Sequence, residues 1–207
     1  MAVITISKEY GTHSNELAKK LAEKLGYDQV GKGLLADIAR ELNISENEAE
    51  VFSKASSSRV LRFVDKYTCS IVQKVVDREH GCLDDDNYYN VTKKLVEDLY
   101  NEGNVVILGW GGQCILKGRD NVLHVRLTKD MGLKVREVME KQKLDEDAAR
   151  KYVENEENDL KAYIKQYYKE DWNDARLYDL VIDMGKNTVD QAVQAICDSV
   201  KGKGYMD

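Results

Sequence analysis

Two short loops concentrate the residues that could do chemistry. The first, Ser7-Lys8-Glu9-Tyr10-Gly11-Thr12-His13-Ser14-Asn15, leads from an apolar segment into an amphipathic stretch. Amides at a helix start have no intrahelical acceptor, and with the helix dipole they favour an anion, so a phosphate is permitted here. The same residues also suit an ordinary strand-to-helix connection. Gly11 is the loop's one glycine, no lysine follows it as in G-x-x-x-x-G-K-[ST], and Glu16 brings negative charge to the helix start. The second loop, Gly109-Trp110-Gly111-Gly112, is the most glycine-dense point of the chain. It calls for close backbone approach or left-handed φ, serving either a ligand or tight packing. Trp110 either covers a base or packs against a neighbouring helix.

The remaining reactive residue types are dispersed. Cys69, Cys82, Cys114 and Cys197 form no C-x-x-C, and His13, His80 and His124 stand alone. No metal site is expected, and the cysteines read as free thiols of a reducing compartment. His124 lies in an apolar β-rich run and reads as structural.

The elements that must hold these loops alternate. Ala2–Ile6 is β-rich, and Leu17, Leu21 and Leu25 recur at helical spacing up to Gly26, a helix-ending glycine. From Leu34 to Tyr100 the pattern is almost wholly helical. It includes the capping-box form Ser45-Glu46-Asn47-Glu48, an apolar stripe from Val60 to Val76, a loop at Asp84–Asn87 and a further stripe through Leu95 and Leu99. Strands are predicted at Val105–Leu108, Val122–Leu127 and Leu180–Asp183, and helices at Leu133–Lys141 and Val189–Val200. The run Glu140–Arg176, with 11 acidic and 8 basic residues, reads as a charged, solvated helical hairpin. Strands alternating with helices predict a parallel sheet covered on both sides, with ligands beyond the carboxyl ends of its strands. Thr128–Gly132 and Met184–Asn187 join the two loops above at that edge.

Composition narrows the function classes. The 207 residues include no proline, where average usage would give about ten, so proline-rich linkers and polyproline ligands are excluded. The length suits one domain of residues 1–207. A net charge of −6 lacks the basic footprint of a nucleic-acid binder. With no membrane-length apolar run and no apolar leader after Met1, a cytoplasmic protein without nucleic-acid or membrane partners is expected.

Ile4-Thr5-Ile6-Ser7-Lys8-Glu9-Tyr10-Gly11, continued by Glu16-Leu17-Ala18-Lys19-Lys20-Leu21-Ala22, resembles the opening I-T-I-S-R-E-x-G-S-G-G-R-E-I-A of the cytidylate-kinase-like family. Val106-Ile107-Leu108-Gly109-Trp110-Gly111 is similar to its V-I-x-G-R-G. Asn121–Val125, Arg136–Glu140, Asp171-Trp172 and Tyr178–Ile182 follow in the family's order over nearly the whole chain. The resemblance implies a three-layer P-loop kinase-like α/β fold with about five parallel strands. It also implies a helical monophosphate-binding region over 34–100 and a helical lid over 141–176, with ATP and Mg²⁺ as co-substrates and a nucleotide or small phosphorylated acceptor. On it, Gly11, Thr12, His13, Ser14, Asn15 and Glu16 would bind the cofactor. Gly31, Lys32, Gly109, Trp110 and Gly111 would face the acceptor, and Lys8, Lys134 and Arg136 would offset phosphate charge, with Lys129 or Lys161 as further candidates.

The chain departs from the family at working positions. Gly11-Thr12-His13-Ser14-Asn15 stands for G-S-G-G-R, Gly31 for an aspartate, Trp110 for an arginine, and Lys134 and Glu137 for paired arginines. The lid stretch Glu157-Asn158-Asp159-Leu160 lacks its arginine, and Thr128–Leu133 replaces an A-P-L turn. Phosphoryl transfer relies on positioning and on cations, one arginine being worth about 10³–10⁵ in rate. Two functions are therefore expected as alternatives: an ATP-dependent phosphotransferase, or a non-catalytic binding or regulatory module on the same scaffold. The acceptor and the oligomeric state are left open.

Overall fold

A computed structural model describes residues 1–31 and 85–205. Five short strands, β1 (Val3–Lys8), β2 (Asp28–Gly31), β3 (Val105–Leu108), β4 (Val122–Thr128) and β5 (Leu180–Asp183), form one parallel sheet in the order β2-β3-β1-β4-β5. Helix α1 (Ser14–Leu25) follows β1, α2 (Asp85–Glu102) precedes β3, and a single turn, α3 (Gly112–Ile115), follows it. Helices α4 (Met131–Gln142) and α5 (Glu146–Tyr168) follow β4, and α6 (Val189–Gly202) follows β5.

Alternation along the strands divides the sheet into two faces. Ala2, Ile4 and Ile6 of the first segment, Val106 and Leu108 of β3, and Leu123, Val125 and Leu127 of β4 pack with α1 and α6 in one core. Val3, Val105, Ile107 and Val122 face the other way and pack with Leu95, Val96 and Leu99 of α2 and with Leu116. Further along that second face the residues turn polar: Thr5 and Ser7 on β1 lie beside His124 and Arg126 on β4. A third cluster, Val135, Val138, Ala149 and Val153, joins α4 to α5.

Several boundaries fall where the sequence places them. Gly26 ends α1 at φ 66°, and β3 and β5 span the predicted residues. Others differ. The edge strand β2 carries one aliphatic residue, Val30, too few for a periodic signal. Asp85–Asn87 belong to α2 rather than to a loop, and their residue types are at home at a helix start. Gly132 lies inside the first turn of α4, whose Asp130 cap accepts the Leu133 amide at 3.2 Å. The charged run spans the end of α4, a turn at Lys143–Asp145 and one long helix, α5, which is not wholly solvated: its buried residues include Ala149, Val153 and Ile164. Lys32, the Ser45 capping box, the Val60–Val76 stripe, His80, Cys69 and Cys82 lie outside the described residues. Among the described residues no helix is long and apolar enough to cross a membrane.

Leu17 is fully buried one turn into α1, so it fixes the helix and the loop that feeds it against the sheet. Leu17→Ala is expected to cost about 2–5 kcal/mol, read as a lower urea midpoint with an unchanged m-value.

Candidate functional site

The carboxyl ends of β1 and β3 open into two adjoining clefts. One, of about 400 Å³, lies over the loop from Lys8 to Glu16 and is flanked by Glu137 and Lys141 of α4. The other, of about 460 Å³, lies between the Gly109–Gly111 loop and α5, with Trp172, Gln113 and Tyr163 among its walls. Lys8 and Asn15 line both.

The first loop is held closed from within. The Thr12 hydroxyl donates to the Glu9 carbonyl at 2.9 Å, and Thr12 is buried. His13 takes a left-handed φ of 51° and turns the chain into α1, whose first intrahelical bond runs from the Leu17 amide to the His13 carbonyl. The amides of Ser14, Asn15 and Glu16 precede that bond and stand at the positive end of the helix. Gly11, at φ 68°, is needed twice over: the conformation disfavours a side chain, and a Cβ there would lie 3.0 Å from Glu137 Oε2.

Beneath the loop lies a charge cluster centred on Glu9. Its Oε1 accepts from Arg126 Nη2 at 3.0 Å, and its Oε2 from Lys134 Nζ at 2.6 Å and from the Lys129 amide at 3.0 Å. Lys134 also donates to Glu157 of α5 at 2.6 Å, and Glu157 accepts the Tyr10 amide at 3.3 Å. Lys134, Arg126 and Glu157 are all buried. Two cations and two carboxylates make the group neutral, which buried charges require. Burial pushes the Glu9 carboxyl up, but its bonds to Lys134, Lys129 and Arg126 outweigh this and hold it below the ordinary carboxylate value. Arg126 also lies over the Trp172 ring, 4.1 Å from its centroid, and Trp172 Nε1 donates to Ser7 Oγ at 2.8 Å. The indole wall of the second cleft is thereby pinned to the sheet.

The predicted site residues fall into distinct places. Gly11, Thr12, His13, Ser14, Asn15 and Glu16 line the first cleft; Gly109, Trp110 and Gly111 line the second, and Lys8 lines both. Trp110 is at the same time core, packed at 4% exposure in the cluster under α2. Gly111 sits so close to Tyr168 that a Cβ would lie 2.7 Å from its ring. Gly31 is buried at the end of β2 against Leu108 and lines neither cleft. Lys134 also lines neither, its ammonium being enclosed by Glu9 and Glu157. Arg136 is exposed on α4, with its Nε on the Gly132 carbonyl at 3.3 Å.

The roles of Arg126, Glu157 and Glu9 in this cluster are absent from the sequence reading, which names Glu157 only as part of the lid stretch. A signal existed: Arg126 is a charge flanked by Val125 and Leu127 inside a strand, where burial demands a partner. His124 is structural, its Nδ1 sharing a 2.7 Å hydrogen bond with the Thr5 hydroxyl, and burial lowers its pKa. Cys114 and Cys197 are free thiols, and burial pushes Cys114 up to about 12, which leaves it unreactive. Among the described residues no three His, Cys, Asp or Glu side chains gather as a metal site.

Residues 3–186 match the cytidylate kinase-like family, and the chain belongs to it. Cytidylate kinase from Methanocaldococcus jannaschii is 26% identical over 202 residues, covering 96% of this chain and 97% of that protein. An uncharacterized protein from Eubacterium ventriosum is similar in structure, with a TM-score of 0.64 at 24% identity over 97% of this chain and 98% of its own. A gluconokinase from Sinorhizobium meliloti superposes with a TM-score of 0.54 at 10% identity, over 97% of this chain and 94% of its own. The three-layer P-loop kinase-like fold is therefore the fold of this chain.

Removing the Glu9 charge leaves Lys134 with Glu157 alone, takes the paired carboxylate from Arg126 and gives the buried cluster one uncompensated positive charge. Glu9→Gln is expected to cost about 3 kcal/mol, a fall in Tm of about 6–12 °C for a chain of this size. The folded pKa of Glu9 is depressed, so its stabilisation is complete above the unfolded value and is lost as pH falls through the folded one. The Tm gap between wild type and Glu9→Gln should be full at pH 7 and narrow progressively below about pH 4.5. A gap independent of pH between 7 and 2.5 would mean that the carboxylate charge is not what holds the cluster.

Proposed function

We propose that this member of the cytidylate kinase-like family is an ATP-dependent phosphotransferase acting on a nucleoside monophosphate or a similar small phosphorylated acceptor. The observation that carries the reading is the pair of clefts meeting at Lys8 and Asn15 beyond β1. Two substrates bound on either side of that junction would meet with their reacting oxygens in reach of one ammonium.

The residues of the first cleft fit phosphate oxygens. Amides of Ser14–Glu16 at a helix start and the Asn15 side chain are neutral donors suited to an anion, and Gly11 leaves the turn free of a Cβ. Mg-ATP, when bound, supplies the transferable phosphoryl group and a divalent cation that draws charge from it. The chain's own part is to bind, orient and exclude water. Lys8 would offset charge at the junction, and the Gly109–Gly111 backbone and Trp172 would bound the acceptor. Asp159 and Tyr163 on α5 would close it from above, as a lid does. Lys134 would act through Glu9 and Glu157, holding the loop to α4 and α5 rather than touching phosphate.

Millimolar Mg-ATP is expected to raise Tm by binding linkage, about 5–10 °C where ligand exceeds Kd about a hundredfold. Gly11→Val should reduce that shift most, because its side chain intrudes on the loop. A coupled ADP-release assay over CMP, dCMP, UMP and other monophosphates then identifies the acceptor. A wild-type Tm indifferent to millimolar Mg-ATP counts against the whole reading. Binding with no turnover on any acceptor would instead leave a nucleotide-binding module.

A further inference from the structure

Between Tyr10 and Glu16 the loop of the first cleft contains no lysine or arginine, so beyond Lys8 at its start any further ammonium group for a phosphate must reach it from another element. Two such groups approach from the α4 side, and both are held on one carboxylate. Glu137 Oε2 accepts from Lys129 Nζ at 2.6 Å, and its Oε1 accepts from Lys141 Nζ at 2.5 Å. Lys129 also donates to the Gly11 carbonyl at 2.8 Å. The carboxylate lies directly over the loop, in contact range of the space a Gly11 side chain would fill. Glu137 and Lys141 line the cleft, whereas Lys129 is covered, its side chain 11% exposed.

Resting on the reading of this cleft as a phosphate site, we infer that the Glu137 carboxylate is its built-in occupant. An incoming phosphate displaces that carboxylate and takes Lys141 and Lys129 as its own ligands. A carboxylate clasped by two ammonium groups against a loop backbone is in the circumstances of a bound phosphate, and both anions accept from the same donors. The two lysines share a single negative charge, so the trio keeps a surplus of +1, which favours an anion of higher charge. Bringing a polyphosphate beside Glu137 without moving it would set like charges together; rotating its side chain outward removes that repulsion and uncovers Lys129. Lys141, with a side chain 63% exposed, is free to follow the ligand.

Glu137 is then a specificity-determining residue. It sets a threshold that weakly charged anions do not overcome and polyphosphates do. The test is calorimetric titration of the full chain with Mg-ATP and, separately, with inorganic tripolyphosphate, for wild type, Glu137→Gln, Lys141→Met and Glu140→Gln. Glu137→Gln is expected to bind both ligands about tenfold tighter, or about 1.4 kcal/mol, and Lys141→Met several-fold weaker. Glu140→Gln removes the same charge from an exposed site on the same helix and should stay within about twofold of wild type, since exposed charges count for little. Binding by wild type with Glu137→Gln no tighter, or with Glu140→Gln tightened equally, overturns the inference and leaves the phosphate-site reading standing. Binding by none of the four folded proteins overturns that reading itself. Should Glu137→Gln fail to fold, Lys141→Met decides, and wild-type affinity in that variant overturns the inference.

Discussion

The candidate site is organised by one carboxylate that must not be left alone. Glu9 stands where β1 becomes loop, and its two oxygens take bonds from β4, from the backbone beyond β4 and from α4. Burying a charge is unfavourable unless partners of opposite sign surround it with good geometry. Arg126 and Lys134 satisfy that condition only when β4 and α4 are in register with β1. Lys134 then passes the constraint on to Glu157, and so to α5 and the Tyr10 amide. The loop, the sheet and α5 are thus positioned by electrostatic closure rather than by apolar packing alone.

This explains why some elements were legible in the sequence and others were not. β3 reads from its residues because it is apolar on both faces and covered on both faces. Helix α1 reads from its leucine spacing and terminal glycine. Helix α5 lies in a run read as helical but solvated; its buried stripe is concealed because one position of it is Glu157, which looks like solvent-facing charge until its lysine partner is located. Arg126 and Lys134 are hidden for a related reason. Lys134 resembles a surface cation in sequence, and although the apolar neighbours of Arg126 signal its burial, only the tertiary structure brings the two to the same carboxylate.

The loops at the carboxyl edge do line clefts, but which residues would line which cleft was not legible. Of the cations singled out by residue type, Lys8 reaches the junction of the clefts, Lys134 is enclosed within the protein and Arg136 is exposed on α4. Residue type alone cannot separate these fates, since an ammonium group serves a phosphate, a buried carboxylate and bulk water equally well. Lys8 ends β1, and the two cations of α4 are separated by which face of the helix each occupies after α4 docks on α5 through Val135 and Val138.

The glycine-rich turn after β3 has a consequence for timescale. Trp110 holds a left-handed φ of 58° between Gly109 and Gly111, a conformation that costs a bulky residue about 1–3 kcal/mol. Its indole remains packed in the core under α2, and burying a large aromatic outweighs that strain, its deletion costing about 3–5 kcal/mol. Any rearrangement of the turn therefore has to withdraw the indole. A segment whose composition looks like a fast, flexible hinge is instead tied to the slow opening of the core, on the microsecond-to-second scale of local unfolding. This wall of the second cleft remains rigid through the rapid motions of its surroundings, and adaptation to a ligand falls to the other side.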